Sequence, residues 1–104
     1  MDNVKNKGEI SFASVFVAVQ DQVSTNLEDE AVILHLKKGV YYGLNPVGAR
    51  VWSFLQEPHS VVEIRDMILQ EYEVAPQRCE QDLLELLKEL LSNGLIDWHD
   101  VKAS

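Results

Sequence analysis

Apolar positions alternate along the first half of the chain and recur every three or four residues along the second, so strands come first and helices follow. The clearest strand is AVILHL, with Val32, Leu34 and Leu36 on one face and Ile33 and His35 on the other. Lys37-Lys38-Gly39 then reads as a hairpin turn. VYYGL returns antiparallel, Val40, Tyr42 and Leu44 sharing a face and Tyr41 lying on the opposite one. Ahead of this hairpin, FASVFVAVQ alternates Val15, Val17 and Val19, and VSTNL places Val23, Thr25 and Leu27 on one face. These two stretches read as one bent strand or as two, with Glu28-Asp29-Glu30 making the next turn. The polar start MDNVKNKGE predicts a flexible segment over residues 1–14, with one folded domain at 15–98 and a tail at 99–104.

The helical half is marked by its caps. Asn45 is a good N-cap, and Pro46 loses nothing by lacking its N–H in a first helical turn. The stripe Val47, Val51, Trp52, Phe54 and Leu55 follows, and Glu57-Pro58 stops it. Ser60 and Glu63 have capping-box spacing and open a second helix that buries Ile64, Met67, Ile68 and Tyr72. Pro76 opens a third helix, which ends before Gly94, a left-handed terminator. On it Cys79, Leu83, Leu86, Leu87 and Leu90 form a core-facing stripe, while Leu84 and Leu91 lie to the side. Leu95, Ile96 and Trp98 of the closing LIDW pack back on the helices. The class is therefore α+β: a three-stranded antiparallel sheet followed by three helices, an order resembling a winged helix-turn-helix.

Composition narrows the function more than the fold. With 104 residues, 46% of them hydrophobic and 25% charged, the chain builds one folded domain and leaves no room for a second, active-site domain. The net charge of −8 opposes phosphate backbones and anionic bilayers, so neither nucleic acid nor a membrane is expected as a partner. The third helix repeats this: Arg78 and Lys88 stand against Glu80, Asp82, Glu85 and Glu89, which makes a winged-helix DNA-binding regulator the weaker alternative. A single cysteine, no apolar run of bilayer length and no signal-like start predict a reduced, cytoplasmic protein.

No catalytic constellation emerges. His35, His59 and His99 are scattered without metal-ligand spacing, so no metal site is expected. Cys79 fits a small buried thiol better than a reactive one. No phosphate-cradling glycine loop or nucleophile motif is present, and the carboxylates of the third helix read as a solvated face. The expectation is a protein that is not an enzyme and needs no cofactor. What remains is surface. If VYYGL is an edge strand, its unpaired N–H and C=O groups invite another strand. Leu84 and Leu91, with Leu87 shared with the core, would then floor a groove between third strand and third helix, flanked by Tyr41 or Val40. The alternative is that these leucines pack on the N-terminal strand or in a homodimer.

The motifs G-x-Y-Y-x-L-N (from Gly39), G-A-R-x-W (from Gly48) and D-L-x-x-L-L-x-x-L-x-x-x-G-L-I (from Asp82) are similar to those of the PqqD-like proteins, recognition elements for ribosomally made, post-translationally modified peptides. The resemblance runs from about Val23 to Ile96 and looks like the stand-alone members of lasso-peptide pathways, often called B1 proteins. It implies a winged-helix-like fold that takes the leader of a precursor peptide as an added strand. Val40, Tyr41, Tyr42 and Gly43 would be the pairing strand, and Leu84, Leu87, Lys88 and Leu91 the helical side. Tyr42 and Leu44 would also anchor the sheet to its core, leaving Tyr41 to meet the peptide. The implied partners are the precursor leader, a leader-cleaving cysteine protease of B2 type and an ATP-dependent lasso cyclase. A PqqD-type peptide chaperone of another modified-peptide pathway, presenting its peptide to a radical enzyme, is the near alternative.

Overall fold

Ala31, Ile33 and His35 are buried along one strand while Val32 and Leu34 stay half-buried, and this alternation fixes which face of the main sheet carries the core. The computed structural model describes residues 9–27 and 30–99. Its strands are β1 (Val15–Ala18), β2 (Gln22–Leu27), β3 (Glu30–His35), β4 (Val40–Leu44), β5 (His59–Ser60) and β6 (Ile96–Trp98). The helices are α1 (Pro46–Phe54), α2 (Val61–Glu71) and α3 (Pro76–Ser92). Strands β2, β3 and β4 pair antiparallel in that order, with Thr25 opposite Val32 and Ile33 opposite Tyr42. The three helices follow this sheet directly, giving the expected winged helix-turn-helix-like order.

The N-terminal strand lies elsewhere. β1 pairs antiparallel with β5 on one side and β6 on the other, forming a second three-stranded sheet. FASVFVAVQ and VSTNL are thus two strands in two sheets, and LIDW contributes a strand as well as packing. On β1 the core face is that of Phe16, which is fully buried, whereas Val15, Val17 and Val19 are half-buried. The Phe16 ring meets Trp98 with centroids 4.7 Å apart, closing this sheet over the core. Two backbone bonds continue the tie, Ala18 N donating to Leu55 O at 2.8 Å and Val19 N to Leu95 O at 3.0 Å.

The helix ends follow their caps. The Asn45 side chain accepts from Gly48 N at 2.8 Å, and Ser60 with Glu63 forms the full capping box of α2. Gly94 has φ of +72°, the left-handed geometry that ends α3. Val51, Trp52 and Leu55 of the α1 region, Ile64 and Ile68 of α2, and Cys79, Leu83, Leu87 and Leu90 of α3 are buried together. Leu86, expected in that stripe, is only half-buried, and Tyr72 likewise.

The described residues ahead of β1, which fall within the segment read from sequence as flexible, contact the start of α2 and the core. Val61 N donates to Ser14 O and Val62 N to Phe12 O, Arg65 lies over the Phe12 ring at 5.6 Å, and Ile10 packs on the core. The remainder of the expected flexible end (1–8), the turn at 28–29 and the tail at 100–104 lie outside the described residues. Among the described residues no helix is long and apolar enough to cross a membrane.

Candidate functional site

Among the described residues β4 is bonded to β3 on one side only, so its other edge carries N–H and C=O groups with no strand partner there. Beside that edge opens a cleft of about 610 Å³. One wall is Tyr42, Gly43 and Leu44 of β4; the other is Asp82, Leu83, Glu85, Leu86 and Glu89 of α3. The first turns of α1, through Val47, Gly48 and Val51, and the end of α2, through Ile68, Tyr72 and Val74, close its floor. The elements that shape it are adjacent in sequence by necessity: Asn45-Pro46 starts α1 immediately after β4, which holds the first turn of that helix under the sheet edge.

Of the residues expected to form a groove, Tyr42 and Gly43 line this cleft. Val40, half-buried, and Tyr41, 72% exposed, do not; Tyr41 stands on the outer face of the sheet. Leu84, Leu87, Lys88 and Leu91 are likewise absent from the lining. Leu87 is fully buried in the core, and Leu84 and Leu91 are half-buried and pack on it. At 3.6 residues per turn, positions 84 and 91 fall on the side of α3 opposite 82, 86 and 89, and Lys88 lies between the two sides, next to Glu85. The helical wall is therefore the flank that carries Leu86 and the carboxylates, which sequence reasoning assigned to core and to a solvated face. Their i, i+3, i+4, i+7 spacing was visible; which flank of the core stripe faces β4 was not.

Strand and helix are joined across the cleft by one side-chain bond, Tyr42 Oη donating to Glu89 Oε1. Burial first, then this bond and the nearby Glu89 charge, pushes the Tyr42 phenol up to about 12. Because the folded value is raised, the neutral phenol favours the fold below the ordinary tyrosine pKa, and that contribution is lost as pH climbs from about 10 through about 12. Titrating phenolate absorbance should show a late step in the wild type that Tyr42→Phe removes. A late step that survives Tyr42→Phe would assign it to another tyrosine and remove the bond from the account.

Burial raises the Cys79 thiol, holding it in the unreactive form. His35 is buried with its Nδ1 accepting from Lys38 N at 3.3 Å, and His59 contacts Glu63 at 3.1 Å. Among the described residues no three His, Cys, Asp or Glu side chains gather as a metal site. The site can hold an extended chain by its backbone and seat apolar side chains between strand and helix.

Comparison with known proteins fits this geometry. The profile of a family described as Coenzyme PQQ synthesis protein D (PqqD) matches residues 30–96. A solved structure of TbiB1 in complex with the TbiA(beta) leader peptide is 38% identical, covers 85% of this chain and 99% of its own, and superposes with a TM-score of 0.71. A lasso peptide synthetase B1 complexed with the leader peptide is 26% identical, with coverage of 79% and 96% and a TM-score of 0.68. No curated protein sequence matches the chain.

Proposed function

The chain belongs to the PqqD family, and from that premise we propose that it binds the leader segment of a ribosomally made precursor peptide, that of a lasso peptide. The observation that carries this is the likeness, over 85% of the chain, to a protein solved with a leader peptide bound. The leader adds as a strand to the free edge of β4 and places apolar side chains in the cleft between β4 and α3. Tyr42 and Gly43 belong to the pairing strand, and Leu83 and Leu86 receive the side chains. The bound leader presents the precursor to separate maturation enzymes, a leader-cleaving protease and a cyclase, so the chain acts by holding and delivering rather than by catalysis.

The energetics suit a specific complex. A ladder of backbone bonds contributes about 0.5 to 1.5 kcal/mol each, and each well-buried apolar side chain about 1.5 to 3 kcal/mol. Less the ordering of the peptide, this supports dissociation constants from about micromolar to nanomolar. Titration calorimetry with a synthetic leader from the precursor gene beside its own tests the proposal. The expected result is saturable one-to-one binding with a negative heat-capacity change. A folded protein that gives no heat with that leader, and no shift in a parallel anisotropy titration, would overturn it.

A further inference from the structure

The cleft is charged on one side. Glu73, Asp82, Glu85 and Glu89 line it, and no Lys, Arg or His does. Their surroundings differ in a telling way. Of the carboxylates on the helices, Glu63, Asp66, Glu71, Glu80, Asp82 and Glu89 each bond a side chain or a cap. Glu85 alone makes no hydrogen bond or ion pair among the described residues. It stands exposed on the α3 wall between Asp82 and Glu89, and Lys88, one turn on, does not come within ion-pair distance. Glu73, at the α2 end of the cleft, is likewise without such a partner among the described residues. Asp82 holds Arg78 at 3.1 Å, but Arg78 is 70% exposed and does not line the cleft.

A cleft with an apolar floor, an open sheet edge and carboxylates on the opposite wall discriminates among extended peptides by charge. A strand seated there sends side chains alternately toward and away from that wall. An Asp or Glu facing α3 meets like charge, in a chain whose net charge is already −8. A Lys or Arg lays its methylenes on Leu86 and reaches a carboxylate that no group among the described residues pairs with.

We propose, resting on the leader-binding function above, that Glu85, assisted by Glu73, selects a basic side chain: the bound leader segment carries a Lys or Arg that faces α3 at the middle of the cleft. Glu85 is a specificity-determining residue, and its carboxylate is the counter-ion that the peptide completes.

The test is binding of the synthetic leader from the adjacent precursor gene to wild type, Glu85→Gln and Glu85→Lys, at low and high salt, by stopped-flow and equilibrium anisotropy. Because Glu85 is exposed and bonds nothing among the described residues, both variants should melt with the wild type. Affinity should fall about threefold in Glu85→Gln and about tenfold or more in Glu85→Lys, mainly through slower association, and the differences should shrink at high salt. Replacing the responsible Lys or Arg of the leader by Glu should weaken wild-type binding and restore binding to Glu85→Lys. A leader that binds tightly yet is indifferent to both variants and to salt, or that carries no Lys or Arg in its bound segment, overturns the selection while leaving leader binding intact. Failure of the wild type to bind the leader at all removes both.

Discussion

Leu86→Glu is expected to abolish leader binding while the protein stays folded. Leu86 lines the cleft and is half-buried, so its side chain faces the space a peptide would fill more than it fills the core. A carboxylate there meets Leu83, Val47 and Val74 on the floor, where closing the site with an apolar side chain strips its water. The expected loss is at least about 3 kcal/mol, roughly a hundredfold or more in dissociation constant. Since the wall is already acidic, Leu86→Asn separates desolvation from repulsion and should cost about tenfold. Leu84→Glu is the informative comparison, because Leu84 lies on the opposite side of α3 and outside the lining. Binding is expected to persist in it, provided circular dichroism and melting show both variants folded. If Leu84→Glu abolishes binding and Leu86→Glu does not, the peptide lies on the other flank of α3.

The same pair of leucines marks where the sequence is legible and where it is not. Periodicity places both on α3, and the caps Asn45, Ser60 and Gly94 fix the helices to within a residue, because each cap is a local bond between near neighbours. The β3–β4 hairpin is equally local. The second sheet is not: β5 and β6 have two and three residues, too few for a period to show, and their pairing with β1 joins Phe16 to His59 and to Trp98 across most of the chain. For the site, the open edge and the strand that bears it follow from the order of elements. The helical wall depends on how α3 is turned against β4, a tertiary choice that leaves no mark in the spacing, and so Leu84 and Leu91 and the flank of Leu86 and Glu85 look equally eligible.

That second sheet carries the other large expected effect. Phe16 is fully buried at the centre of β5-β1-β6, against Trp98, and Phe16→Ala should cost about 3 to 5 kcal/mol. Total stability for a domain of this kind is about 5 to 15 kcal/mol, so the variant should melt roughly 15 to 30 °C lower. Val15→Ala, half-buried on the same strand, should cost about 1 kcal/mol or less. Urea denaturation followed by tryptophan fluorescence measures both, and equal losses would detach Phe16 from the core. The consequence reaches the cleft, because β5 leads into α2 and β6 follows α3, so the small sheet holds together the ends of the two helices that close the site. If it acts only through stability, leader at about a hundred times its dissociation constant should return about 2.7 kcal/mol and move the Phe16→Ala curve most of the way back. A variant that refolds at low urea yet gains nothing from the leader would instead show that β1 shapes the cleft itself, by setting how α3 stands against the open edge of β4.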